Sequence, residues 1–319
     1  MRFGQALLRI VYQHTKIKWF KLAPLFLELK TMFFRWRITF SDGFSFAFLI
    51  TAVTSVFFFE LLIVLPKIEE RFFMKLFHAV NGFFIVLSIL SNLFMVMWVN
   101  TSTKKVILPS VLKPLWHFCA ACEANAPPRT FHCDKCNSCI FKRDHHCAFA
   151  GCCVGLKNMR YFIVFLFYLT IGCLYASIYN MYFIWEALGG FSLFSVAAHI
   201  VPFVFWLFGY LNFLVFIYTM HSVLALVGFL FVGNLLVFHV QNMLRNQTTF
   251  EKNHNIKEYD LGWRKNLVAC LGTNYFKIFI YPFSESPIPS DGLSFPTNKI
   301  QYTVPQHVLT ENNLRQRHF

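Results

Sequence analysis

Charge is what this chain has least of. Only 14% of its 319 residues are Asp, Glu, Lys or Arg, against about 25% in an ordinary soluble domain. That is too little charged surface to cover a soluble core of this size. Acidic residues are the scarcest, 15 against 29 Lys and Arg, which leaves a formal charge of +14. Between positions 161 and 240 there is no Lys or Arg at all. No internal repeat is visible, and residues 1–40 are too long and too basic to be the n-region of a signal peptide. These shortages exclude a soluble enzyme, a DNA-binding factor and a secreted disulfide scaffold. The lack of intramembrane charge sets and of repeats argues against a transporter or channel. What the chain does have is 56% hydrophobic residues, 42 of them Phe, gathered in long blocks. It reads as a polytopic membrane protein. The basic excess then reads as topology and attraction to anionic lipid, not as nucleic-acid binding.

A helix needs about 20 apolar residues to cross the hydrocarbon core. Blocks 44–65, 76–99 and 161–188 each suffice for one span, the first ended by Pro66 and the third by Gly189-Gly190. Block 191–240 is about twice what one span needs. Segments 1–43, 100–160 and 241–319 carry eight, nine and nine Lys/Arg, and the positive-inside rule places all three in the cytosol. An even number of spans must then separate the central segment from the tail. The expected fourth span lies within 206–240, and 191–205 is expected to be a lumenal-surface or re-entrant piece. The expected architecture is all-α: a four-helix transmembrane bundle with a cytosolic zinc-binding cysteine-rich domain between the second and third spans. It divides into a basic N-terminal segment (1–43), helices 1–2 (44–99), the cysteine-rich domain (100–160), helices 3–4 with their lumenal connection (161–240) and a cytosolic tail (241–319). The basic arm reads as an amphipathic helix on the membrane face or as a solvated arm. From about Ser284 the Pro, Ser, Asn and Gln content points to a flexible end.

Eight of the ten cysteines fall between Cys119 and Cys153, with His132, His145 and His146 in the same window. Cys119/Cys122 and Cys133/Cys136/Cys139 are spaced by two residues, which lets paired sulfurs reach one tetrahedral ion from a tight turn. A disulfide framework would need an oxidising compartment, whereas the charge pattern puts this segment in the reducing cytosol. A segment with few large aliphatics cannot build a core by itself, so metal is expected to supply much of its folding free energy. Two closed four-ligand sites use eight of the eleven Cys and His, leaving three over beside Asp144. Cys147 stands next to a His pair and an Asp, the arrangement that supplies a thiolate nucleophile and an oriented base. Spacing alone leaves open which of His145 and His146 is ligand and which is base, and whether Cys147 or Cys152 is the reactive thiol.

At Asp144-His145-His146-Cys147 the sequence resembles the DHHC-type protein S-acyltransferases, or palmitoyltransferases. The resemblance extends to Cys119, Cys122, Pro127, Arg129, His132, Cys133, Cys136, Cys139, Cys153, Gly155, Asn158 and Phe162. It extends also to Thr248-Thr249-Phe250-Glu251, which matches the TTxE motif, and to the C-terminal motif at Tyr259-Asp260-Leu261-Gly262 with Asn266. It covers about residues 44–272. It implies one zinc on Cys119, Cys122, His132 and Cys139 and a second on Cys133, Cys136, His146 and Cys153. It implies Cys147 as nucleophile, His145 as its base and Asp144 as the residue polarising His145. Thr249 is expected to bond near Asp144, and Asn266 to brace the tail.

The donor implied is palmitoyl-CoA or a similar fatty acyl-CoA. Its phosphates are expected against bases such as Arg129, Lys142 and Arg143, which topology and lipid contact would also explain. The chain is expected to insert among the helices beside Phe149 and Gly172, where small-residue helix packing is the other explanation. The implied partners are membrane lipid and membrane-associated proteins with cytosolic cysteines, in a Golgi or endoplasmic reticulum membrane. Departures from the pattern are Phe149 for Trp, Cys152 for Asn, Ala126 for a base, and Asn100-Thr101-Ser102 near a missing Asp-Pro-Gly. They bear on rate and substrate preference more than on chemistry. A catalytically weak zinc-scaffold adaptor is the alternative reading.

Overall fold

The computed structural model describes residues 39–298. The expected amphipathic arm falls largely on residues 1–38, outside the described residues. Among the described residues, four helices are long and apolar enough to cross a membrane: α1 (Phe40–Ile68), α2 (Phe72–Trp98), α3 (Met159–Ala187) and α6 (Phe213–Leu244). Each differs from its apolar block by a few residues, because hydropathy marks the greasy stretch and not the hydrogen-bonded length. α1 runs past Pro66 because a π turn over Glu60–Val64 precedes it. The Leu65 N–H bonds back to the Glu60 carbonyl, so the register has already shifted where proline brings no donor.

α3 is the innermost helix. In its most apolar stretch 56% of residues are buried, against 11–33% in the other three. It packs along both α2 and α6, while Phe44, Phe83, Leu87 and Leu230 remain exposed, as lipid-facing residues must. The segment expected to be lumenal or re-entrant forms two short helices, α4 (Leu193–Ile200) and α5 (Pro202–Leu207). Neither is long enough to span. His199 Nε2 lies 3.0 Å from Ser222 Oγ, which ties α4 to α6. His221 behaves as a packing histidine, its Nδ1 2.9 Å from the Ile217 carbonyl and its ring stacked on Phe59.

Between α2 and α3 lie three two-stranded antiparallel hairpins: β1–β2 (His117–Cys119, Ala124–Ala126), β3–β4 (Phe131–Cys133, Ser138–Ile140) and β5–β6 (His145–Cys147, Cys152–Val154). Asn158 joins them to the bundle. Its amide donates to the Val96 and Cys153 carbonyls at 2.9 and 3.0 Å and its Oδ1 accepts from the Gly155 N–H at 2.8 Å. Gly155 has no room for a side chain, since a Cβ there would sit 2.6 Å from the Phe141 carbonyl. Thr101, in the stretch that departs from the family pattern, accepts from the Phe141 N–H through its carbonyl (3.0 Å) and from the Lys157 N–H through its hydroxyl (3.3 Å). Asn100-Thr101-Ser102 therefore still docks the end of α2 onto the hairpins.

The tail returns to the hairpins through α7 (Thr249–Asn253), α8 (Trp263–Leu271) and α9 (Tyr275–Ile280). Thr248 and Glu251 form a capping box at the start of α7. Glu251 also takes two bonds of 2.7 Å from the Arg129 guanidinium, with both side chains almost fully buried. Arg129 is sandwiched further by the Tyr259 and Phe295 rings, 4.1 and 4.9 Å away. The expectation of a flexible end from Ser284 fails over 284–298. Ser286 is buried and bonds the Leu271 carbonyl, and the Asn298 N–H donates to the Glu258 carbonyl at 2.7 Å. A proline-rich stretch has few backbone donors to satisfy, so docking satisfies it without regular structure.

Removing one partner of a buried pair leaves an uncompensated charge, at a cost of about 3–5 kcal/mol. Glu251→Ala and Arg129→Ala are each expected to lower the thermal midpoint sharply. The double substitution should cost less than the sum of the two, as a double-mutant cycle would measure.

Candidate active site and metal centres

The hairpin turns bring the cysteines into two groups of four, because each turn ends in a left-handed residue that folds the chain tightly back. Glu123, Asn137 and Gly151 have φ of 51°, 45° and 60°. Cys119, Cys122, His132 and Cys139 converge in one group and Cys133, Cys136, His146 and Cys153 in the other. Around His132 Nδ1 the Cys122 and Cys119 sulfurs lie at 3.2 and 3.8 Å. Around His146 Nδ1 the Cys136, Cys133 and Cys153 sulfurs lie at 3.3, 3.7 and 3.8 Å, and Cys136 and Cys153 are 3.6 Å apart. Zinc bonds of about 2.3 Å to sulfur and about 2.0 Å to nitrogen give tetrahedral edges of roughly 3.5–3.8 Å. The donor atoms are therefore spaced to hold zinc, and the two expected ligand sets are the two groups the fold brings together.

The histidine of each group turns its other nitrogen to a carboxylate. His146 Nε2 is 3.2 Å from Asp42 Oδ2, and His132 Nε2 is 3.6 Å from Asp134 Oδ1. Asp42 was not anticipated. It sits buried in the first turn of α1, where Thr39 caps the helix and Lys135 approaches its other oxygen at 3.4 Å. The available signal was an isolated acid at the start of an apolar block.

The β5–β6 register pairs Cys147 with Cys152 and His146 with Cys153, so alternate residues of β5 face opposite ways. His146 turns to the metal group, while His145 turns to Asp144 and Cys147. The His145 Nδ1–H donates to Asp144 Oδ2 at 2.8 Å. Thr249 adds its N–H to Oδ1 and its hydroxyl to Oδ2, both at 2.9 Å. Burial by itself would raise the Asp144 carboxyl. The His145 bond, the nearby His145 and His239 rings and the Thr249 N–H outweigh it and hold the carboxyl below its ordinary range. Burial likewise opposes charge on His145, but bonds to Asp144 and Cys147 push the ring up to about 9.

Cys147 and Phe149 lie at one end of a cavity of about 330 Å³ that runs between α1, α2, α3 and α6. Glu60, His78, Tyr175 and Tyr179 lie at its far end, and Gly172 between. The rise along α3 from Phe162 to Tyr175 is about 20 Å. Glu60 lines this cavity as well, with Oε1 buried and without a hydrogen-bond partner. The π turn that starts at Glu60 opens the helix at that point.

Three expected donor contacts are overturned. Arg129 is buried against Glu251, Tyr259 and Phe295, with no face left for a phosphate. Lys142 donates to Asn246 Oδ1 at 2.7 Å, and burial, with the neighbouring Arg129 charge, pushes it down to about 8. Arg143 is half-buried against the Cys153 and Cys133 sulfurs. Asn266 also serves the fold, bonding the Leu261 N–H, the Leu244 carbonyl and Asp260 at 2.7–3.0 Å.

Residues 113–256 match the pattern described as DHHC palmitoyltransferase. Probable palmitoyltransferase ZDHHC24 of Mus musculus is 35% identical over 214 residues, 66% of this chain and 75% of that protein. The chain belongs to the DHHC palmitoyltransferase family. The Homo sapiens protein of the same name is 33% identical over 220 residues, covering 67% of this chain and 76% of its own length. Probable protein S-acyltransferase 2 of Arabidopsis thaliana is 34% identical over 182 residues, 53% of this chain and 40% of its own. This DHHC protein is thus one of the protein-cysteine S-palmitoyltransferases.

Losing the carboxylate behind a metal-bound histidine typically costs about 10–100-fold in metal affinity. Asp42→Ala is expected to show a loss of that size in zinc retention against a competing chelator. Asp134→Ala, at an exposed carboxylate, should change retention less than threefold.

Proposed function

We propose that this DHHC protein moves a long fatty acyl group from acyl-CoA to its own Cys147, and then to a cysteine of a membrane-associated protein. The observation that carries this reading is the place of Cys147. It lies on the β5 strand beside the hydrogen-bonded His145–Asp144 pair, close enough for its sulfur to influence the His145 ring, and it also lines a deep apolar cavity. A fatty chain gains about 0.8 kcal/mol for each CH₂ it buries, and the cavity would hold it with the thioester at its mouth.

In the first step the Cys147 sulfur forms a bond to the thioester carbonyl carbon. The bond to the coenzyme A sulfur breaks, and that thiolate leaves and takes up a proton. In the second step His145 takes the proton of an incoming cysteine thiol, whose sulfur attacks the same carbonyl carbon. The Cys147 sulfur leaves as thiolate. Thr249 and Asp144 keep the His145 ring in place through both. The exchange of one thioester for another is nearly isoenergetic, so the contribution of the protein is thiolate supply and positioning. Zinc on the two four-residue groups would act structurally. It would fix the β5 strand against α1 and hold Cys147 still, while leaving that sulfur unligated. The basic segments at 100–160 and 241–319 support a site facing the cytosol.

Incubation with a clickable palmitoyl-CoA analogue tests the reading. Wild type should take a hydroxylamine-labile label, Cys147→Ser should take none, and Cys152→Ser should keep most of it. Equal labelling of Cys147→Ser and wild type would overturn the assignment and leave a zinc scaffold. A second expectation concerns the cavity. A Cβ at Gly172 would already touch Ile85 at 3.1 Å, so Gly172→Phe must fill cavity space. Its ratio of rates with long and short acyl-CoA should shift about tenfold towards the short chain. An unchanged ratio would reduce Gly172 to a helix-packing residue.

A further inference from the structure

A second histidine stands behind the Asp144–His145 pair. His239, on α6, is buried with its Nδ1 3.8 Å from Asp144 Oδ2. Its ring lies 5.3 Å from the His145 ring, tilted by 34°, and meets Phe162 edge-on at 5.1 Å. Asp144, His145 and His239 form the third convergent set of potential ligand atoms, beside the two cysteine groups. His239 Nδ1 is buried and has no hydrogen-bond partner. On its other side the ring borders a chamber of about 20 Å³, shared with Asn242, Lys142 and Gln247. The Asn242 amide is also unbonded there. Leaving a polar atom unsatisfied away from water is costly. A nitrogen aimed at a carboxylate from just beyond bonding distance needs a movement of less than 1 Å to close the bond, and catalytic hydrogen bonds tighten when the reacting complex forms.

Resting on the reading of Asp144, His145 and Cys147 as the catalytic group, we propose that His239 is a positioning residue that reaches the Asp144 carboxylate from the membrane side. Its Nδ1–H donates to Oδ2 as His145 gains a proton, and its ring backs the His145 ring. Oδ2 then has three donors, His145, Thr249 and His239, from three separate elements. The carboxylate cannot rotate away while charge develops on His145. His239 does not line the acyl cavity, so its effect falls on the rate and not on donor binding.

The test uses the full-length protein and measures single-turnover acylation of Cys147 by palmitoyl-CoA, then transfer to a cysteine peptide. The variants are His239→Asn, His239→Gln and His239→Phe, with Cys147→Ser as the blank. The Asn amide stands where Nδ1 stands, whereas the Gln amide stands where Nε2 does. His239→Asn should keep both rates within about threefold of wild type. His239→Gln and His239→Phe should lose about tenfold, with KM for palmitoyl-CoA unchanged. Equal rates for Asn and Gln overturn the proposal, and that comparison decides even where His239→Phe does not fold. A third zinc in wild type that all three variants lose also overturns it, since the trio would then be a metal site. Absence of label from wild type removes the catalytic reading and this proposal together. Label at the wild-type rate in every variant removes this proposal alone.

Discussion

Six three-residue strands bury few aliphatic side chains, Ile140 and Val154 among them, too few to hold Cys147 steady against a membrane surface. What can hold them is the crossing of the two ligand sets. His132 belongs to one group and Cys133, its neighbour, to the other. Cys136 and Cys139, on the two sides of one turn, are divided in the same way. A metal in either group would therefore staple hairpins that the other also staples, and the β5 strand places His146, a member of one group, between His145 and Cys147. Those staples would fix the position of the Cys147 sulfur, and the Asp42 contact to His146 would extend the same restraint into the first helix.

The bundle supplies what the hairpins lack. Its innermost helix starts at Asn158, whose side chain is bonded to the end of α2 and to β6, so helix packing and hairpin position are set by one amide. The cavity begins where this joint leaves room, beside Phe149 and Phe162. It ends where Glu60 and the tyrosines bring polar groups into the membrane interior.

The four spans and the presence of paired cysteine knuckles were legible in the sequence because their signals are local, whereas the division of the cysteines and histidines into two sets came only from the family resemblance. A span is one uninterrupted apolar block, and a cysteine knuckle is a two-residue spacing within one turn. The residues that reading missed act across long separations. Asp42 meets His146, and His239 meets Asp144, with nothing near either in sequence to announce a partner. Arg129 and Lys142 were misread for the same reason. A basic residue beside a catalytic motif suggests an anion, but the anion for Arg129 is Glu251, which approaches from the tail. Composition misjudged 284–298 as well, since proline and serine content describes what a segment cannot form and says nothing of what it can dock against.

The clamp between the hairpins and α7 has a bearing on shortened forms of the chain. A product ending before Thr248 would keep the eight clustered ligands, the nucleophile and all four long helices. It would nonetheless lose both Thr249 donors to Asp144 and strand the Arg129 guanidinium in a buried site without its counter-charge. On the proposed roles of Asp144, His145 and Cys147, such a truncation would be a membrane scaffold that can still gather metal but has an idle thiol, and an early stop codon or a proteolytic nick in this stretch would turn a transferase into it.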